Sequence, residues 1–193
     1  TATDMLIGEV GLERVNEWLA GAGYAQTRLM RTTGDLFREV WVGADPANAS
    51  LTDREVFERG FPDDPQAAQR SFALEGDSAR WLGRTTAREI SRLLEEIHAG
   101  KLSTPEHAAE MVGIMEQQFY ESRLPRFLGS RARVAHKTGD WPPFAGNDVG
   151  ILFYEGGPAI VALFTNQNRG DFTALEETLG RIALDIVEGW KAP

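Results

Sequence analysis

Few of the 193 residues have types and spacings that could carry chemistry. There is no cysteine, which excludes disulfides, thiolate nucleophiles and cysteine-rich zinc sites. His98, His107 and His136 have no carboxylates at ligand spacing and no H-E-x-x-H, so they read as a helix-end cation, a surface residue and a strand residue. Gly76-Asp77-Ser78-Ala79-Arg80 begins like a serine nucleophile elbow but lacks the final glycine. Thr1 could in principle use its own amine as a base, yet the residues after it read as helix and not as a strand of a layered sheet. Neither a phosphate loop nor a dinucleotide glycine fingerprint occurs, and no metal or cofactor is expected. One run stands apart. Only three of the 20 basic residues are lysines, and Lys137 lies on a strand and is followed by Thr138, Gly139 and Asp140. Taken alone, this is a strand-end cation ahead of turn residues.

The elements that must position this run follow from periodicity. Residues 2–9 read as helix, and Leu12, Val15 and Leu19 mark a second helix that stops near Gly21 and Gly23. From Arg31 to Gly83 the pattern dissolves, with only Thr52 to Arg59 helical; such a long irregular stretch is usually functional or mobile. Thr86 and Glu89 have capping-box spacing ahead of an apolar stripe at Ile90, Leu93, Leu94 and Ile97. Ser103 and Glu106 bracket Pro105 at the next helix start, where Ala108, Met111, Val112, Met115 and Phe119 are expected to face the core. Strands are expected at 133–138, 148–154 and 159–165, with Glu155-Gly156-Gly157-Pro158 turning between the last two. A closing amphipathic helix carries Leu175, Leu179, Ile182 and Ile186, with Thr173 and Glu176 as its cap pair. Helices first, then antiparallel strands and a covering helix, indicate an α+β fold.

A chain of this length can bury a sizeable core, and its composition is that of a globular protein. With 20 basic against 29 acidic residues, the net charge is -9. A nucleic-acid partner is therefore not expected, because phosphate tracking needs a basic face. Apolar runs are too short for a transmembrane segment.

Lys137-Thr138-Gly139 is one of three signatures of penicillin-recognising serine enzymes, and the chain as a whole resembles the class A β-lactamase family. The resemblance runs through several ordered segments: Thr1 to Leu6, Gly11 to Arg28, Thr85-Thr86-Ala87-Arg88-Glu89, Gly100 to Glu106, and His136 to Gly139 with Asn147 to Phe153. It implies a β-lactamase/transpeptidase-like fold, with a partial helical subdomain at 1–125, an omega-like irregular segment at 31–84, and three antiparallel strands with a C-terminal helix at 126–193. It further implies acyl transfer to a serine and hydrolysis of a β-lactam or another amide or ester. Lys137 would supply positive potential to a substrate carboxylate, Thr138 would hydrogen-bond that carboxylate, and Gly139 would let substrate lie against the strand edge. The Asp140 N–H would be one of two oxyanion donors, and Arg123 would assist carboxylate binding. Family members act in the periplasm or as secreted proteins.

The sequence also departs from the family pattern. It contains neither S-x-x-K nor S-D-N. The resemblance places both upstream of Thr1, so the nucleophile is expected from a missing N-terminal segment, in cis or as a second chain. No E-x-x-L-N motif lies between Arg31 and Arg84, and Glu75 is the nearest candidate for a deacylation base. Asp140 stands where the family usually has Ser, Thr or Ala, a repulsive neighbour for a substrate carboxylate. Two alternatives therefore stay open: a D,D-peptidase-like acyltransferase acting on peptidoglycan, and an inactive family member serving as a binding module.

Overall fold

The computed structural model describes residues 2–67, 69–70 and 81–189. Glu75 lies outside them. The chain forms two compact units, Thr1–Thr85 and Thr86–Pro193. This boundary differs from the expected one at 125/126, because the two helices after Thr86 pack with the strands that follow them.

The first unit contains helices α1 (Ala2–Val10), α2 (Leu12–Gly21), α3 (Thr33–Ala44) and α4 (Asp53–Arg59), a 3-10 turn at Pro46–Ser50, and a two-stranded ribbon of β1 (Arg28–Leu29) and β2 (Gly83–Arg84). The expected irregular stretch is thus partly helical. α3 was hidden because its apolar positions are interrupted by Gly34 and Gly43, yet its start is well signalled. Thr32 accepts a hydrogen bond from Asp35 N, the Asp35 carboxylate reaches back to the Thr32 N–H, and Asp4 accepts from the Thr33 and Gly34 amides at 2.8 and 3.1 Å. Asn16 fixes the ribbon by exchanging two hydrogen bonds with the backbone of Leu29, both at 2.8 Å. Val56 and Ala67 are fully buried.

The second unit is a three-layer arrangement. Helices α5 (Ala87–His98) and α6 (Pro105–Glu116) cover one face of an antiparallel sheet of β3 (Ala132–Trp141), β4 (Ala145–Tyr154) and β5 (Gly157–Leu163), and α7 (Phe172–Gly189) covers the other. Side chains alternate across a strand. Accordingly Leu152 and Val161 pack with Leu124, Leu128 and Ala183 on the α7 side, while Ala135 and Ile151 pack with Leu94 on the α5 side. The β4–β5 turn is tighter than expected: Tyr154 pairs with Gly157, whose φ of +96° is open to glycine, and Pro158 already lies in β5.

Two caps shift from their expected places. Thr104, not Ser103, caps α6 by accepting from His107 N. Asp171, not Thr173, accepts from Ala174 N at the start of α7, which frees Glu176 for another role. Phe119 is not a core residue; at 87% exposed it lies beyond the end of α6, where helical spacing no longer applies.

Candidate active site at an edge of the three-stranded sheet

β3 pairs only with β4 among the described residues, so one of its edges is open. Lys137, Thr138, Gly139 and Asp140 run along this edge strand, opposite Val149, Asp148, Asn147 and Gly146 of β4. Lys137 is exposed and its Nζ donates to the Thr138 carbonyl at 2.6 Å. Thr138 is buried at 7% exposure. A Cβ placed on Gly139 would meet no atom within 4 Å, so the space beside it is open to a ligand.

Alternation puts His136, Thr138 and Asp140 on one face of β3, directly across from Gly150, Asp148 and Gly146. The glycines make room on that face. A Cβ at Gly150 would come within 2.6 Å of the Ala135 carbonyl and 2.7 Å of His136 Cβ, and one at Gly146 would lie 3.0 Å from the Phe172 ring. Asp148, at 0% exposure, accepts from the Leu124 N–H at 3.1 Å and pairs with His136 Nδ1 at 2.9 Å. A carboxylate can only accept, so Nδ1 carries the proton in this pair. Asp148 therefore ties the Arg123–Leu124 segment to both strands, one residue away from Lys137.

Arg123 is the centre of the charge arrangement. It is 2% exposed, yet it carries a guanidinium among carboxylates: Nη1 donates to the Asn147 carbonyl at 2.8 Å and contacts Asp140, while Nη2 donates to Glu176 at 3.0 Å. Phe172 lies against the guanidinium at 5.6 Å, and Ser122 Oγ donates to Glu176 at 2.6 Å. Burial works to lower the Arg123 pKa, but the hydrogen bond and charge of Asp140, followed by those of Glu176, outweigh it and hold the group firmly cationic. Asp140 is the exposed partner, with 31% of its side chain open, against 17% for Glu176.

The structure thus brings together Arg123, Thr138, Gly139, Asp140 and Lys137. It adds Asp148, His136, Glu176 and Ser122, none of which the sequence reading placed in the site. One signal for them was present: Gly146, Asp148 and Gly150 recur with period two, as expected where a buried carboxylate needs clearance on one face of a strand.

A family model for the β-lactamase enzyme family matches residues 1–190. The chain belongs to this family. Among solved structures it is similar to a β-lactamase from Sphaerobacter thermophilus, with 23% identity and a TM-score of 0.65 over 97% of this chain and 57% of that one. It is likewise similar to an ancestral class A β-lactamase of Gram-negative bacteria, at 18% identity and a TM-score of 0.67 over 98% and 60% of the two chains. A third similar structure is the TLA-3 extended-spectrum β-lactamase, at 17% identity and a TM-score of 0.63 over 96% and 57%. The fold is therefore the mixed helix and sheet fold of β-lactamases, and the chain spans somewhat more than half the length of these relatives. No curated protein matches.

Proposed function

We propose that this chain is the Lys-Thr-Gly-bearing part of a β-lactamase-like serine hydrolase that acts on a β-lactam or another amide or ester. Family membership supports hydrolase chemistry. The observation that carries the reading is the Lys137-Thr138-Gly139 run on an open strand edge, with unfilled space at Gly139. In this reading a serine from a segment outside the 193 residues attacks the scissile carbonyl. Substrate lies antiparallel along β3, and the Asp140 N–H stabilises the developing oxyanion. Lys137 supplies positive potential near the reacting serine, and the Thr138 hydroxyl orients the substrate. Arg123 acts from beneath as a positioning residue, holding Asp140, and with it the oxyanion donor, in place. Among the described residues no helix is long and apolar enough to cross a membrane; a periplasmic or secreted location is part of this reading, supported by the family's usual setting.

The absence of E-x-x-L-N between Arg31 and Arg84 favours a second reading, an acyltransferase of the D,D-peptidase kind, in which the acyl-enzyme waits for an amine instead of water. The test is a comparison of Lys137→Ala with the unaltered complete protein. Loss of the cation should lower the acylation rate by about 100-fold or more, the scale of removing one electrostatic catalytic contact. An unchanged acylation rate in a folded variant would refute the role given to Lys137.

A further inference from the structure

The charge pattern of the site is opposite to that of an anion receptor. A ligand lying along β3 past Gly139 meets Asp140, whose side chain is 31% exposed, before it can meet the guanidinium behind it. Arg123 is 2% exposed and already contacts Asp140, Glu176 and the Asn147 carbonyl. The two carboxylates overcompensate this single cation, Asp148 lies directly across from Thr138 on β4, and the chain carries a net charge of -9. Only Lys137 offers an exposed positive group on this strand segment, and it sits three residues away from Asp140. A second anion next to Asp140 would add like-charge repulsion with no free guanidinium to offset it, whereas an amide N–H or an ammonium would find an acceptor.

We propose that Asp140 is a specificity residue that selects acyl substrates bearing a neutral hydrogen-bond donor or a cation beside the scissile carbonyl, and disfavours those bearing a carboxylate there. The inference rests on the serine acyl-transfer reading. In the step it modulates, the serine Oγ–acyl bond forms as the bond to the leaving group breaks, the serine proton ends on the leaving group, and water or an amine later releases the acyl group and restores the serine.

Three thioester donors that share one acyl group test this on the complete protein. Their leaving thiols carry a carboxylate, a primary amide or an ammonium group, and thiol release is followed together with intact mass. The expected order in kcat/KM is ammonium at or above amide, and amide above carboxylate by about tenfold or more at low ionic strength. Added salt should narrow that gap by screening. Asp140→Asn should close it, with the carboxylate donor gaining most. The unaltered protein's series and its salt dependence decide the matter even where this variant does not fold. A carboxylate donor equal to or better than the amide, with an acyl-enzyme still formed, overturns the specificity proposal alone. No acyl-enzyme from any donor overturns the acyl-transfer reading and this inference with it.

Discussion

At the scale of single residues, the site is organised by buried polar groups whose partners are almost fully accounted for. Asp148 shows the logic most clearly. It has no exposure, and it satisfies one backbone N–H of the Arg123–Leu124 segment and one imidazole N–H. Asp148→Ala would leave both donors without an acceptor in a region closed to water, at about 1–3 kcal/mol for each unsatisfied group. Denaturant unfolding of Asp148→Ala should therefore show a loss of about 3 kcal/mol, with Asp148→Asn losing less because its carbonyl still accepts. A change near zero for the alanine variant would contradict the tie drawn between this segment and the strands. Arg123 has a different standing: its two carboxylate partners retain some exposure, so its charges are only partly desolvated. Its value lies in fixing where Asp140 sits more than in raw stability.

At the scale of elements, close approach of strands and helix starts makes separate demands. At Gly150 a methyl group would press on the Ala135 carbonyl and on His136 Cβ, both within β3. Gly150→Ala is expected to destabilise the unit by about 1–3 kcal/mol through overpacking, read as a lowered unfolding midpoint, and also to lower activity of the complete protein by displacing Lys137. Gly139→Ala has open space and should leave the unfolding midpoint unchanged. At the start of α4, hydrogen bonds from the Thr52 side chain and backbone hold the Glu55 carboxyl below its ordinary value, outweighing a small opposing effect of burial. A lowered folded-state pKa means that this contribution to stability is present above the ordinary glutamate range and is lost as pH falls through the depressed value. Titration by NMR should find Glu55 below 4.5, and Thr52→Ala should move it back towards that figure; an unmoved midpoint would contradict the capping box.

Much of this was legible from residue order. Thr52 with Glu55, Thr86 with its helix, and the apolar strand positions 149–153 signal their elements locally, because caps and alternation act over a few residues. The site was only half legible. Lys137, Thr138 and Gly139 are consecutive and carry a recognisable pattern, whereas Glu176 reaches Arg123 across 53 residues and Asp148 reaches Leu124 across 24. No local rule connects residues so far apart. Thr173 precedes Glu176 by a capping interval, but the helix is capped by Asp171, which accepts from Ala174 N. α3 is masked in the sequence because Gly34 and Gly43 interrupt its apolar positions, although Thr32 and Asp35 signal its start.

At the scale of the whole molecule, the second unit presents two sheet edges among the described residues, one on β3 and one on β5. The first carries the Lys-Thr-Gly run and remains accessible. Neither unit offers a serine with a lysine three residues on, so the proposed chemistry needs a nucleophile from outside the 193 residues. The complete protein and the 193-residue chain are each incubated with a labelled penicillin and with the neutral thioester donor, and each is then weighed by intact-mass spectrometry. A single acyl adduct is expected on the complete protein, mapping to a serine followed three residues later by lysine, and none on the 193-residue chain. A covalent adduct on the 193-residue chain, or a complete protein with an intact S-x-x-K that is acylated by neither donor, would contradict the proposed chemistry.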